Sequence, residues 1–267
     1  MSFGARVRTR AERAVRLASI LARDSGILDA SNWLLASLTG RKKTMSVTIN
    51  STAVLIRTSS TDLDAATVSL RGELNSLFKA VPELEHGFVV DGGGYIGTAA
   101  IEFAKAYPEA TVVTLEPSQD NFALLKRNVA AYPNIHPVNA ALSNHSGKIE
   151  LRNRGTGEWG FTIVERPDDH PDSRVLHEVD CVTIPELMER FGKGGVDILK
   201  LDIEGGEYQL LKDKPEWISD VGVVCIELHD RIVGGCSEAF RNATEGRDNR
   251  DMDGEKYLSF RRDRAAA

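Results

Sequence analysis

Residues 88–97, Phe-Val-Val-Asp-Gly-Gly-Gly-Tyr-Ile-Gly, leave few folds open to this chain. Residues 88–90 are an apolar run of strand character that ends on Asp91 and three consecutive glycines. From Thr98 the sequence Thr-Ala-Ala-Ile-Glu-Phe-Ala-Lys-Ala-Tyr reads as a helix. Strand, glycine turn and helix together make the geometry of a nucleotide-binding crevice at the carboxyl end of a parallel strand. The turn needs backbone angles that glycine takes freely, and a ligand comes close only where no Cβ blocks it. The first N–H groups of the helix are unpaired and favour a negative group.

Two cofactors fit this loop. Gly92, Gly94 and Gly97 satisfy G-x-G-x-x-G, the dinucleotide fingerprint. Asp91, Gly93 and Gly97 satisfy D-x-G-x-x-x-G, as found in S-adenosylmethionine enzymes. A turn with no ligand is the plainer alternative, and an acid in front of three glycines favours a site over it.

Beyond the loop, 267 residues suggest one domain with an appendage, and 42% hydrophobic content suffices for a core. The net charge of −6 makes no case for nucleic acid, and none is expected as a partner. Its distribution is uneven: residues 1–43 hold nine Lys/Arg against three Asp/Glu, so a basic arm precedes an acidic body. Cys181, Cys225 and Cys236 follow no metal-ligand or disulfide pattern, which suits a reducing cytosol, and a cytoplasmic location is expected. No apolar run approaches the length of a membrane-spanning helix, and arginines interrupt the N-terminus where a secretion signal would be apolar.

In chain order, residues 5–24 read as a basic helix with Val7, Ala11, Val15, Ala18, Ile20 and Leu21 among arginines, and residues 30–38 as a second helix. Contact of this arm with a membrane surface is one reading. A solvated helix packed on the body or on another subunit is preferred, because the apolar stripe is narrow and rich in alanine. Residues 45–56 alternate and read as a hairpin turning at Asn50 and Ser51, residues 57–64 as a polar loop, and residues 66–80 as one helix. This region, 45–87, is expected to form a lid or edge. From residue 88 strands and helices alternate, which argues for a parallel sheet. Strands are expected at 110–115, near 137–142, at 196–202, at 221–229 and at 257–260, with helices following Ser118, at about 206–212 and at 237–244. Residues 147–184 break the alternation with short runs that read as an antiparallel insertion, and residues 245–254 read as a charged, mobile loop.

The expected strand ends carry Asp91, Glu116, Asn139, Asp202 with Glu204, and Glu227 with His229. That is an acidic ring around a glycine loop. Glu116 stands 19 positions after Gly97, where a ribose-binding acid belongs, although it also fits as a cap on the helix after Pro117.

At this point the sequence resembles a known family. Residues 90–97, Leu-Glu-Pro-Ser at 115–118, Asn-Ala-Ala-Leu-Ser at 139–143 and Leu-Lys-Leu-Asp-Ile-Glu-Gly-Gly-Glu-Tyr at 199–208 resemble the FkbM family of S-adenosylmethionine-dependent methyltransferases in order and spacing. The resemblance covers roughly residues 52–262 and leaves 1–44 outside. It implies a class I methyltransferase fold: an α/β, Rossmann-like, mostly parallel seven-stranded sheet with an antiparallel last strand and helices on both faces. S-adenosylmethionine is then the implied cofactor. Asp91 with Gly92, Gly93, Gly94, Tyr95 and Gly97 would hold its methionine part. Glu116 and Pro117 would meet the ribose, and Asn139, Ala140 and Ala141 the adenine edge. Glu73, in a segment resembling the family's pre-sheet region, is a further implied contact. The family usually has Asn where this chain has Tyr95.

The chemistry of such a site has its own logic. A sulfonium is cationic and an acidic pocket suits it. Methyl transfer is an in-line displacement, so catalysis consists largely of alignment with water excluded. A hydroxyl nucleophile also gains from a base, and Asp202, Glu204 and His229 are the candidates. Asp202 is alternatively a partner for the cofactor's ammonium group, and His229 a satisfied core histidine. Glu207 reads as a structural acid at a helix N-terminus, and Lys200 as pointing to the sheet's other face and pairing with an acid. No ligand spacing demands a metal, and none is predicted. Trp159 and Phe161 form a candidate aromatic wall for a sugar-like or lipid acceptor, or ordinary packing. The leading expectation is O-methylation of a saccharide, lipid-linked or secondary-metabolite acceptor. One rival is an NAD-dependent oxidoreductase, which would need a Tyr-x-x-x-Lys pair that is not placed beyond the third strand. The other is a non-catalytic partner-binding module.

Overall fold

A computed structural model describes residues 3–252 and 255–262, with side chains from residue 11 onward. The expectation for Val7 and the Gly254 end of the charged loop lie outside the described residues. The chain divides into two compact units, residues 1–73 and 74–267.

The first unit opens with helix α1 (Phe3–Asp24) and helix α2 (Ile27–Leu38), broken apart by Gly26 at φ 105°. Leu17, Ile20 and Leu21 of α1 and Ala30, Trp33 and Ala36 of α2 are buried, while Ile27, Leu28, Leu35 and Leu38 are exposed. Strands β1 (Thr44–Ile49) and β2 (Thr52–Arg57) form the expected antiparallel hairpin. Asn50 and Ser51 both take positive φ, the requirement of the tight turn whose twist matches that of its strands. Val47, Ile49, Val54 and Ile56 point inward at the alternate positions that the sequence pattern assigns.

Helix α3 (Asp62–Val68) follows, beginning inside the expected loop. The single helix expected over 66–80 is instead broken. A wide turn over Ser69–Glu73 carries Gly72 at φ 113°, a conformation that ends an α-helix, and Glu73 closes the first unit. The charges of this unit pair locally. Arg57 makes a two-pronged bond to the buried Asp62 at 2.8 and 2.9 Å, and Arg13 bonds Asp64 at 2.7 Å. No helix among the described residues is long and apolar enough to cross a membrane.

The second unit begins with helix α4 (Asn75–Ala80) and enters the sheet at β3 (Phe88–Gly92). Helix α5 (Thr98–Ala106), β4 (Thr111–Leu115), helix α6 (Gln119–Val129) and β5 (Ile135–Val138) follow. Ser118 caps α6, its hydroxyl accepting from Asn121 N. The third expected strand then divides. After β5, residues 139 and 140 cross to a second sheet that β6 (Ala141–Leu142) enters. This sheet also holds β7 (Gly147–Asn153), β8 (Phe161–Thr162) and β9 (Arg174–Val182), in the order β6-β9-β7-β8, and is the insertion the sequence announces.

Helix α7 (Ile184–Arg190) returns the chain to the main sheet, with Thr183 and Glu186 forming a reciprocal capping box. Strand β10 (Val196–Leu201), helix α8 (Gly206–Leu211), β11 (Val221–Glu227), helix α9 (Cys236–Ala243), β12 (Asp248–Asp251) and β13 (Lys256–Phe260) complete the fold. β12 corrects the mobile-loop reading of 245–254. Its residues are polar because all four lie at the sheet edge, intermediate or exposed, so pairing with β13 leaves no apolar signal.

The seven strands stand in the order β12-β13-β11-β10-β3-β4-β5. β5, β4, β3, β10 and β11 are parallel, and β13 alone runs against its neighbours, β11 on one side and β12 on the other. The central strands are nearly continuous apolar runs, buried as parallel strands covered on both faces require. One polar row crosses them: Lys200 of β10 lies opposite Asp91 of β3, which lies opposite Thr114 of β4.

Candidate active site

The carboxyl ends of β3, β4 and β10 meet through a few specific bonds. Gly93 takes φ 85°, and a Cβ there would stand 1.8 Å from the backbone oxygen of Asp202. A Cβ on Gly94 would stand 2.2 Å from the Thr114 hydroxyl. Both glycines are therefore required by the protein's own packing. Gly93 bears out the first reason expected for glycine here, an unusual backbone angle, and packing adds a further one. Asp202 N donates to Gly92 O at 3.1 Å, joining the end of β10 to the turn.

Asp91 is fully buried beneath this turn. Thr114 Oγ1 donates to its Oδ2 at 2.8 Å, and Lys200 Nζ stands 3.2 Å from its Oδ1 and 3.8 Å from Asp202 Oδ2. Lys200 thus pairs with an acid as expected, but on the face of Asp91 and Asp202 and not on the sheet's other face. The signal was available, because Lys200 and Asp202 are two apart and a strand sends such residues to one face.

Tyr95 takes φ 48°, a left-handed conformation that Asn accepts more readily than Tyr. The backbone thus explains the residue usual in the resembling family. Tyr95 N donates to Glu116 Oε2 at 3.0 Å, while Glu116 Oε1 accepts from Ser118 N at 2.8 Å and from Asn121 Nδ2 at 3.3 Å. Glu116 therefore does cap the following helix, as the plainer reading held, and reaches the glycine turn as well. Asn139 Nδ2 donates to Glu116 O at 2.8 Å and to Pro117 O at 3.1 Å, while Ala140 and Ala141 are buried. Gly97, at φ 89°, packs against Val129 and Leu125 and caps α5. The expected cofactor residues of the second unit thus stand at four adjoining strand ends, those of β10, β3, β4 and β5. Glu73 belongs to the other unit.

Beside them lies a second group, at the ends of β10 and β11. Glu204 occupies the loop after β10 at φ 52°, a strained backbone of the kind that collects at functional sites. Arg154 bonds its Oε2, and Thr162 Oγ1 donates to its carbonyl at 2.7 Å, so the insertion sheet holds this loop. His229 is 1% exposed. Its Nδ1 lies 3.1 Å from Glu207 Oε1, and Glu207 also accepts from Ile203 N and Gly205 N at 2.8 Å. Glu207 is the structural acid expected, with the added task of fixing the His229 ring. His229 Nε2 points at Glu227 Oε1, Asp202 Oδ1 and Glu204 Oε1, at 3.7, 3.8 and 4.0 Å.

Burial, and next the charge of Asp202, push the Glu204 carboxyl up to about 7. The same two causes raise Glu227. Burial works upward on Asp202 too, but Lys200 and then His229 outweigh it and hold Asp202 below its ordinary value. Burial lowers His229, yet its bond to Glu207 and the surrounding carboxylates carry it up to about 9. The cluster thus mixes ionised and protonated groups near neutrality, a frequent mark of functional sites. Arg154 and Thr162 escaped sequence reasoning because the insertion reaches Glu204 from 50 and 42 positions away. Phe161 packs against the insertion's core, whereas Trp159 is 40% exposed.

This strand order, with one reversed strand and acids around a glycine turn at the carboxyl ends, defines a Rossmann-like methyltransferase of class I. Within that class the chain belongs to the FkbM family. The model of the methyltransferase FkbM domain matches residues 91–252, more than half the chain.

Two relatives and one solved structure illustrate the neighbourhood. A protein called Methyltransferase 1 from Beauveria bassiana is 25% identical over 178 residues, 59% of this chain and 70% of the relative. The hexuronic acid methyltransferase AglP of Haloferax volcanii is 27% identical over 162 residues, 60% of this chain and 64% of the relative. The fibrillarin of Aeropyrum pernix, solved with natively bound S-adenosyl-L-methionine, is 15% identical over 70% of this chain and 73% of its own, with a TM-score of 0.41.

Family and sheet order make S-adenosyl-L-methionine the cofactor. The donor set fits it. Glu116 presents a fixed carboxylate at the end of β4, and Asp202, 32% exposed and held below its ordinary value, presents a negative charge beside the turn.

Proposed function

We propose that this chain transfers a methyl group from S-adenosylmethionine to a hydroxyl of a saccharide, lipid-linked or secondary-metabolite acceptor. The observation that carries this reading is the Asp202–Glu204–His229 cluster adjoining the glycine turn. It sets a proton-accepting group beside the strand ends that take the cofactor. Bound there, the cofactor supplies an electrophilic methyl on a cationic sulfur. Glu116 would orient the ribose. Asp202 would face the cationic part, its charge maintained by Lys200. Asp91, sealed beneath the turn, would act through the turn and not by touching the cofactor.

In the transfer, the acceptor oxygen forms a bond to the methyl carbon while the carbon–sulfur bond breaks, its electron pair staying on sulfur. The hydroxyl proton leaves to the acidic cluster. Alignment of oxygen, carbon and sulfur supplies most of the acceleration, and proton removal adds a factor of about 10²–10⁴. A saccharide acceptor is favoured by the relative named as a hexuronic acid methyltransferase, and the exposed Trp159 indole is a surface suited to a sugar face.

The test is a mass scan. Saccharide and lipid fractions are incubated with the chain and S-adenosylmethionine deuterated in its methyl group. The expected result is an acceptor that gains a deuterated methyl in place of one hydrogen. Glu204→Gln is expected to slow that gain about a hundredfold or more and to leave S-adenosylhomocysteine binding intact. Full turnover by Glu204→Gln, or methylation of nitrogen in every fraction that reacts, would contradict the reading.

A further inference from the structure

The geometry points to a divalent-cation site formed by Asp202, Glu204 and His229, a reading that deepens the proposed function without depending on it. Glu207 accepts two backbone N–H bonds besides its contact with His229, so it is an acceptor and Nδ1 carries the proton facing it. In the neutral ring, Nε2 then presents a lone pair. That nitrogen is buried, has no hydrogen-bond partner, and is aimed at carboxylate oxygens of Glu227, Asp202 and Glu204. A lone pair opposite three carboxylates is repulsive, so the position calls for a positive occupant, a proton or a metal ion.

The carboxylates favour a proton on Nε2, and that imidazolium is the rival occupant of the position. The separations of 3.7–4.0 Å exceed an N–H···O hydrogen bond, so it would satisfy none of the three acceptors. A metal ion fits better. Two donors on one ion, each about 2.1 Å from it, stand up to roughly 4.2 Å apart. The ligand atoms of Asp202, Glu204 and His229 lie within 4.8 Å of one another, so a small closure brings them to one centre.

The outer shell is already assembled. Lys200 faces Asp202 Oδ2, Arg154 bonds Glu204 Oε2 and Lys256 stands 3.3 Å from Glu227 Oε2, which leaves the opposite oxygen of each carboxylate turned inward. Glu207, bonded to the far nitrogen of the ring, completes the carboxylate–histidine pair that commonly orients a metal-bound imidazole. Two carboxylates with an imidazole favour a first-row ion such as manganese over magnesium, which prefers oxygen alone. Open positions on the ion would face the crevice and could take an acceptor oxygen, whose proton is thereby made easier to lose.

The test uses the full chain, freed of metal with a chelator, and manganese chloride as the probe, with neither methyl donor nor acceptor present. The electron paramagnetic resonance signal of free manganese is followed as protein is added. One saturable ion per chain is expected, together with a thermal midpoint that rises with manganese concentration by mass action. Asp202→Asn and Glu204→Gln, both at partly exposed side chains, are each expected to weaken binding tenfold or more while keeping the wild-type circular dichroism. Glu207→Gln is expected to weaken it by about 10–100-fold. An undiminished free-ion signal with an unmoved midpoint would overturn the proposal, and so would folded Asp202→Asn and Glu204→Gln chains that bind as the wild type does. Because binding is read without methyl transfer, either reading can fail while the other stands.

Discussion

Glu116 shows how one side chain ties several parts of the crevice together. Its two oxygens accept from the glycine turn through Tyr95 N and from the start of α6 through Ser118 N and Asn121 Nδ2. Hydrogen bonds to a charged group contribute about 1.5–3 kcal/mol each, and about 1.4 kcal/mol is tenfold in binding. Glu116→Ala is therefore expected to weaken S-adenosylhomocysteine binding by about 10–100-fold, read by calorimetry on a variant of unchanged circular dichroism. Unchanged affinity would remove Glu116 from the cofactor's surroundings. At this scale the sequence was most legible in which residues stand at or just past the strand ends, not in what each does there. Asp91, Glu116, Asn139, Asp202, Glu204 and His229 fall into that group. The face of the sheet that Lys200 takes was misjudged, although its spacing from Asp202 carried the information; its pairing with an acid was not. Arg154 and Thr162 carried none, since a tether from a distant insertion leaves no local pattern.

Among the elements, the glycine turn makes the sharpest prediction. Gly93 is held at φ 85° against the Asp202 carbonyl, so Gly93→Ala meets both a left-handed backbone and a backbone clash. The conformation alone costs about 1–2 kcal/mol, and each kcal/mol lowers the melting midpoint of a domain this size by about 2–4 °C. Gly194, with open space at its Cβ and no unusual φ, is the control, and Gly194→Ala is expected to leave the midpoint unchanged. Equal midpoints for the two variants would mean that the turn does not depend on its glycine. The elements that the sequence misjudged share a cause. The helix expected over 66–80 breaks at Gly72, where conformation overrides an apolar pattern that continues through Leu70 and Leu74. β12 is polar and pairs at an edge, so its strand character comes from β13 and not from its own residues. β6 is two residues long and finds its partner in β9, 40 positions away.

For the molecule as a whole, the strand order carries the assignment. Five parallel strands and a reversed β13 put the acidic ends of β3, β4, β10 and β11 on one edge of one sheet, and the family match spans that region. The first unit, with its basic arm and hairpin, lies outside the match, which begins at residue 91. Alternating strands and helices made the parallel sheet readable in advance, and the glycine loop located its crevice. The sequence left the loop compatible with two nucleotide cofactors, and calorimetric titration of the full chain separates them. Saturable one-site binding of S-adenosylhomocysteine, with no binding heat from NAD, is the predicted result. Saturable binding of NAD with none of S-adenosylhomocysteine would contradict the account at its centre.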